Sequence, residues 1–397
     1  MLAASASAQA GITIPAGDWT VDIGGNVNAY YSHTKFSGDL EDANRGVITG
    51  KSANTISTGL LPSALGIGGK TRQNDLDVAF QFTFFTGVNA EDAGSGGNGS
   101  NGAQGNSLNI RQAFMSFGDA SWGSIKAGRD LGVFGSDAIL SDMTLLGVGN
   151  GAGGAGNSTL GRIGSGYLYA DWVGQVQYTS PNWNGFQFAV AAREPWGNAN
   201  NHYLGFDGKV TYDFKTDDVS GRVWVSALRQ KVSTAGDGTV TDANYDTAVA
   251  KAWDIGAKAT IGNLGLVAYG YDGQNMGLPI YGSIYDAADR GVTNYAGLTV
   301  GYNAKNTDAR GGYVQATYVI PTGTKLGASY GLSKIDTNVA GESEFKNKSW
   351  IVGAYHPLTK SLNLVAEYTH VKVENNYAES ALDGKAKTVS LGAILFF

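Results

Sequence analysis

The chain has no cysteine among its 397 residues, which excludes a disulfide framework and any thiolate metal site. Charged residues are scarce at 16%, against about 25% in soluble globular proteins. The formal net charge is −6 and there is no basic run, so the electrostatic footprint of a nucleic-acid partner is missing. No stretch approaches the roughly 18 consecutive apolar residues of a membrane-spanning helix. A strand-built membrane protein escapes that exclusion, because each crossing needs only about 10 residues of alternating polarity. The four histidines, His33, His202, His356 and His370, share no local ligand spacing, so no metal centre is expected. No serine stands in a recognisable nucleophile setting, and neither an enzyme nor a cofactor is expected.

Glycine, polar amides and aromatic rings fill the space left by the missing charges. There are 59 Gly, 20 Tyr and 8 Trp, and glycine is at about twice its usual share. Mean hydropathy is nevertheless only −0.15. This blend suits strands with one face in lipid, one in water and bulky rings at the interfaces, and Tyr30, Tyr31, Trp122, Trp172, Trp183, Trp196, Trp253 and Trp350, mostly near expected strand ends, suit such girdles.

Alternation with period two recurs along the chain. In DWTVDIGGNVNAYYS (18–32), Trp19, Val21, Ile23, Val27, Ala29 and Tyr31 form an apolar set; Asp22, Asn26 and Asn28 belong to the other. LDVAFQFTF (76–84), YLYADWVGQVQYTS (167–180), GFQFAVAAR, YLGFDGKVTYDF, AWDIGAKATIG, TKLGASYGLSK, SLNLVAEYTH and AKTVSLGAILFF behave similarly. Short connectors fall near 73–75, 118–121, 180–185, 215–218, 262–263, 321–323 and 356–360, each with Gly, Pro, Asn or Asp for a tight turn. They alternate with long ones near 35–60, 90–106, 131–166, 194–202, 233–251, 273–311, 335–347 and 374–385. That pattern predicts a transmembrane antiparallel β-barrel of about 16 strands, with both termini on the short-turn side. A barrel of that size has a lumen too wide for side chains to fill, so the polar face lines water and the apolar face meets lipid. A large secreted all-β protein or a Gly/Asn-rich surface adhesin would not sort its loops by length.

Three stretches resemble Gram-negative outer-membrane general porins. NIRQAFMSFGDASWGSIKAGRDLGVFGSDAILSDMTLLG (109–147) looks like their central hairpin and the loop that folds back into the barrel. SPNWNGFQFAV (180–190) resembles their third short turn, and the terminal Phe397 matches their aromatic ending, which serves barrel closure and assembly. The resemblance implies a homotrimer in the outer membrane, each barrel with its own pore, passing ions and small hydrophilic solutes. It also implies that the loop over 131–166 narrows the lumen, with acids facing basic residues of the wall.

SDAILSDMTLL (136–146) is expected to form a short helix capped by Ser136. The constriction candidates are Asp137, Asp142, Arg111, Arg129, Asp130 and Arg162; the facing of the two arginines at 111 and 129 is ambiguous, because QAFMSFG does not alternate cleanly. Pore-lining candidates in inward phase are Asp22, Asn26, Arg193, Lys209, Arg222 and Lys258. Each charge could equally be a solvated wall residue, and Arg111, Arg129 and Asp130 could form an ion-pair network that anchors the loop. Acids at Asp39, Glu41, Asp42, Glu91, Asp92, Glu342 and Glu344 could hold divalent cations against lipopolysaccharide phosphates, or simply be a solvated surface.

ALGIGGKT (64–71) lacks the first glycine of a phosphate-binding loop and precedes a strand, and GAGGAG (151–156) lies in a low-complexity loop without a βαβ setting. Residues 1–10, MLAASASAQA, read as the remnant of a secretory signal, with Ala8-Gln9-Ala10 as the cleavage motif. Residues 11–397 form a single barrel domain. A substrate-selective channel, for sugars or organic acids, is the alternative: it would show an aromatic or an arginine ladder along the lumen.

Overall fold

The computed structural model describes residues 11–41, 51–88, 108–150, 158–195, 203–233, 247–276, 292–295, 298–301, 307–337, 343–375 and 382–397. Residues 1–10, GAGGAG, Trp196, His202, Asp42, Glu91, Asp92 and Glu342 lie outside the described residues.

Strands β1 (Ile12–Ala16), β2 (Trp19–Gly38), β3 (Ser52–Ser57) and β4 (Ser63–Gln73) open the chain. Next come β5 (Leu76–Thr86), β6 (Asn109–Asp119) and β7 (Gly123–Leu131), then a loop carrying helix α1 (Ser136–Ser141). The middle of the chain is β8 (Trp172–Thr179), β9 (Phe186–Arg193), β10 (Gly205–Lys215), β11 (Val219–Ser233), β12 (Thr247–Ile261) and β13 (Leu264–Gln274). A separate ribbon of β14 (Val292–Tyr295) and β15 (Leu298–Gly301) precedes the rest. These are β16 (Thr307–Val319), β17 (Lys325–Thr337), β18 (Ser343–Pro357), β19 (Leu362–Asn375) and β20 (Leu382–Phe396).

Neighbours pair antiparallel all the way round, and β2 closes the sheet on β20 from Asn26↔Phe396 to Gly38↔Gly384. The sheet holds 18 strands, of which β1 and β3 are short segments sharing a stave with β20 and β4, so the barrel has 16 staves. β1 pairs with the lower end of β2, where β20 stops. At that junction Gly25 N–H donates to Phe397 O at 2.8 Å and Phe397 N–H to Gly25 O at 3.1 Å. All seven short connectors are the tight turns expected. One of the two-residue turns, Asn74-Asp75, has both residues at positive φ (49° and 62°), the geometry that matches the twist of two antiparallel strands.

Pleating gives the two faces opposite chemistry. On β2, Asn26, Asn28, Ser32 and Thr34 are buried inward, while Val27 and Tyr31 are about half exposed outward. The same outward exposure recurs at Phe82, Val176, Val210, Ile255, Val314 and Leu391. An exposed apolar belt on every side has lipid as its only compatible solvent, and edge-free closure satisfies the backbone there.

Four details differ from the alternation as read. YLYADWVGQVQYTS is strand only from Trp172; Tyr167, Leu168 and Ala170 are buried in the lumen as the end of the preceding loop, which therefore runs to 171 rather than 166. The described parts of the segments near 335–347 and 374–385 are strand, since β17 to β20 extend well beyond the lipid belt. Tyr30 faces inward, because consecutive strand residues cannot share a face. Between β3 and β4 the stave is broken at residues 58–62, and this break receives the loop.

Candidate functional site

The described parts of the loop, 132–150 and 158–171, lie inside the barrel, held largely by wall side chains that bind their backbone. Val133 and Phe134 N–H donate to Asp207 Oδ2 on β10 at 3.1 and 3.2 Å. Tyr313 Oη on β16 donates to Ala138 O at 2.8 Å, and Gln315 brackets the end of α1, accepting from Met143 N–H at 2.7 Å and donating to Ser141 O at 3.0 Å. Farther round, Tyr30 Oη donates to Leu146 O at 2.8 Å. Glu367 Oε2 on β19 accepts from Val148 and Gly149 N–H at 2.9 and 2.7 Å. The loop then crosses the broken stave, where Leu60 N–H donates to Gly147 O and Thr159 N–H to Gly59 O. A Cβ at Gly59 would lie 2.1 Å from Gly147 O, so only glycine permits this approach.

Within the loop the expected single helix splits. Its N-cap is Gly135 in the left-handed region, and Ser136 Oγ donates to Val133 O instead of capping. Asp142 takes extended backbone, ends α1 and caps a 3-10 turn over Met143–Leu146 by accepting from Thr144 N–H.

The two loop acids have different surroundings. Asp137 meets the wall directly: Lys209 Nζ is 2.7 Å from Oδ2 and Arg222 Nη1 is 3.0 Å from Oδ1. Arg222 also forks onto Asp213 at 2.6 and 2.7 Å, and its cross-strand neighbour is Lys258. Burial works against the charge of Asp137, but Lys209 and Arg222 together hold its carboxyl below the usual range. Asp142 is buried and engaged inside the loop, accepting from Tyr167 Oη at 2.8 Å and from Arg162 N–H at 3.2 Å.

Under the loop lies an apolar and aromatic bed. Trp224, Tyr269, Tyr271 and Tyr313 of the wall form a chain of rings that Tyr167 of the loop caps, with centroids 5.7–6.4 Å apart, all buried. These rings hold the loop and are covered by it. They are not a surface on which a solute slides.

A model of the family described as Gram-negative porin matches residues 1–376. The chain belongs to the Gram-negative porin family. Solved structures share the fold: the outer membrane channel DcaP of Acinetobacter baumannii superposes with a TM-score of 0.64 at 15% identity, covering 98% of this chain and 100% of that one. OmpF of Salmonella typhi, in complex with daunomycin, gives 0.61 at 20% identity, covering 97% and 100%. An anion-selective porin from Comamonas acidovorans gives 0.59 at 15% identity, covering 96% and 100%. The sequence matches no curated protein.

The porin distributes its sequence-predicted residues unevenly. Lys209, Arg222 and Lys258 converge on adjacent strands β10 to β12, below α1. Asn26 faces inward and accepts from Asn28 Nδ2; Asp22, in the same phase at the short-turn end, accepts from Thr13 Oγ1 and faces Lys70 at 3.6 Å. Asp130 faces inward and is bound by Lys126 and by Gln112 Nε2. Arg111 also faces inward, over the Phe85 ring at 5.0 Å. A bulge between β5 and β6 lets Arg111 and Gln112 both turn in, which is why the sequence there does not alternate.

Four expectations need correction. Arg129 is exposed on the outward face with its partners Ala113 and Gly174, away from Asp130, so it neither lines a constriction nor anchors the loop from within. Arg193 is sealed against Asp207 at 3.4 Å beneath the start of the loop and does not reach the lumen water. Arg162 is wholly buried, donating to Ser329 Oγ at 2.6 Å and Ser349 Oγ at 3.0 Å, and anchors the loop's return. Asp142 is a capping and cross-linking residue of the loop. The acid–base contrast expected across an open gap is therefore, at Asp137, a contact pair.

Sequence reasoning missed Asp207, Glu367, Gln315, Tyr313 and Tyr30, which grip the loop. Their inward phase was readable; the identity of the backbone groups they hold was not.

Proposed function

We propose that this porin is a passive diffusion channel for ions and small hydrophilic solutes with a preference for anions. One observation carries this reading. Beneath the pinned loop, Lys209, Arg222 and Lys258 stand on three neighbouring strands, and the acids beside them, Asp137 and Asp213, are bound to Arg222 and Lys209. Lys126 on the opposite wall is likewise inward, over the Phe114 ring. Lys126 is held by Asp130, whereas Lys258 forms no ion pair among the described residues and stands beside Arg222, so its charge faces the water column with no bound acid, and a low-dielectric wall focuses that field. The buried aromatic chain speaks against a sugar-selective slide, since the loop covers it. We read the porin as a non-enzymatic homotrimer, in keeping with the trimer form solved for the structurally similar OmpT of Vibrio cholerae, and residues 1–10 as a cleaved secretory remnant.

Planar-bilayer reconstitution tests the proposal. Stepwise conductance with a reversal potential of anionic sign under a salt gradient is expected. Absence of steps would sink the channel, and a reversal potential of cationic sign would sink the anion preference.

A further inference from the structure

The outward face of this porin carries a feature that the channel does not use. Cross-strand register places Lys348, Lys372 and Lys385 side by side on β18, β19 and β20. One row lower, Trp350, His370, Lys387 and Lys35 follow one another from β18 to β2. Like charges directly opposite one another on a sheet repel. Glu374 answers two of them, at 2.6 Å from Lys348 and 2.6 Å from Lys372. Lys35, Lys385 and Lys387 are exposed and form no ion pair among the described residues. The acids Asp336, Glu344, Glu374 and Asp383 cluster at the outer ends of these strands, above the lysine rows.

Immediately below the lysines the surface turns apolar. Trp350 packs on Tyr368 with centroids 5.0 Å apart and donates its indole N–H to His370 at 3.1 Å. From Trp350 a trough of about 680 Å³ runs across β18, β17, β16, β13 and β12. Its two cross-strand rows are floored by Ala328, Ala316, Ala268 and Ala257 and walled by Tyr330 and Leu266.

We infer that this face is a built site for a phosphorylated, multiply acylated glycolipid of the outer leaflet, the lipid A portion of lipopolysaccharide. The phosphates sit on the lysine rows of β18 to β20 and an acyl chain lies in the alanine-floored trough. Charge complementarity and depth carry the assignment. Lys348, Lys372 and Lys385 stand one cross-strand row above Trp350 and His370; Lys387 and Lys35 continue the row of those two, and the apolar concavity starts at Trp350 and runs from there across β17 to β12. Outward lysines contribute nothing to the lumen; Glu374 and Asp383 relieve Lys348 and Lys372, and Lys35, Lys385 and Lys387, which form no ion pair among the described residues, are the ones an anion from outside would relieve. The inference rests on the outer-membrane location and replaces bridging of loop acids by divalent cations: Glu41 pairs with Lys51, and Glu344 with Lys334 and Lys346.

The test uses the full-length porin folded in detergent, titrated with lipid A carrying two phosphates, one or none, and with inorganic phosphate as competitor. Binding should follow phosphate number and resist millimolar inorganic phosphate. The combined variant Lys348→Gln/Lys372→Gln/Lys385→Gln/Lys387→Gln should bind at least about tenfold more weakly, each lysine being worth roughly fivefold near a lipid surface. Ala316→Trp, which fills the trough, should weaken lipid A while leaving the protein folded, as judged by heat-modifiable migration. Equal affinity of the variants and wild type, equal binding of the phosphate-free lipid, or full displacement by inorganic phosphate would each overturn the assignment. Bilayer conductance of the same preparations separates the two proposals: it should be unchanged in all variants, and its loss in wild type with lipid binding intact would count against the channel alone.

Discussion

Asp137 shows how one carboxylate can set both a shape and a field. It ties α1 to Lys209 on β10 and Arg222 on β11, so one side chain spans the loop and two staves. Asp137→Asn removes the charge and keeps the volume. The seating of α1 should weaken by about 2 kcal/mol, the worth of hydrogen bonds to charged groups, and two wall cations are released. Reversal potentials should move further toward anions, with noisier single-channel traces; an unchanged potential would mean that the pair lies outside the ion path. The pH dependence has a definite sign. The carboxyl is held below its ordinary range in the folded loop, so its contribution is fully present above that range and is lost as pH falls through the depressed value. Conductance should therefore be steady through neutrality and become noisy only under acid conditions, and in Asp137→Asn that acid transition should be absent. Arg162 makes the contrasting case. Burial pulls its guanidinium down while Asp142 opposes that shift, and Arg162→Met should loosen the loop's return by about 3 kcal/mol or more, since it strands a buried partner. Faster proteolysis between 158 and 171, with the barrel still heat-modifiable, is the expected sign.

At the scale of elements, the interior loop is a folded unit gripped by wall carboxylates, amides and phenols, and the broken stave between β3 and β4 is its socket. Gly59→Val should push Gly147 away from that socket, because the new Cβ would overlap its carbonyl. Sixteen staves remain paired, so secondary structure should be unaltered while open-channel conductance changes; wild-type conductance in this variant would rule out the socket. This division explains what could be read from the sequence. The staves were legible because period-two alternation and turn residues are local, and all seven short turns fall where Gly, Pro, Asn and Asp predict them. The site was legible only in part. Lys209, Arg222 and Lys258 could be found from phase alone, since a strand residue's face follows from its neighbours. Arg111 could not, because the bulge opposite Thr83 and Phe84 shifts phase by one residue. Asp142 and Arg162 belong to a loop whose path is decided by distant partners, Tyr167 within the loop and Ser329 and Ser349 on the wall. Tyr30 was misplaced for a simpler reason: two adjacent tyrosines look like one girdle, but pleating sends one to lipid and the other to Leu146.

For the whole molecule the apolar belt, the outward lysine rows and the inward charges of the wall are three consequences of one closed sheet. Closure depends on a composite last stave, in which β20 hands over to β1 at Phe397 and Gly25. Removing Phe397 deletes both backbone bonds there and an outward ring, so the yield of folded, heat-modifiable barrel should fall while the barrels that do fold conduct normally. The lumen's field is a property of the assembled wall and no single residue owns it. Lys258 tests that statement, being inward, half-buried and in no ion pair among the described residues, beside Arg222. Lys258→Glu should pair with Arg222 and move the reversal potential toward zero or across it, far more than Lys258→Gln, which removes one charge and adds none. Because charges around a water column act through screened fields, the difference between these variants should be large at about 0.01 M salt, where the Debye length is near 30 Å, and small at 1 M, where it is about 3 Å. A difference that persisted at high salt would instead mean that Lys258 shapes the narrowest passage sterically, and the anion preference would have to be sought in the loop itself.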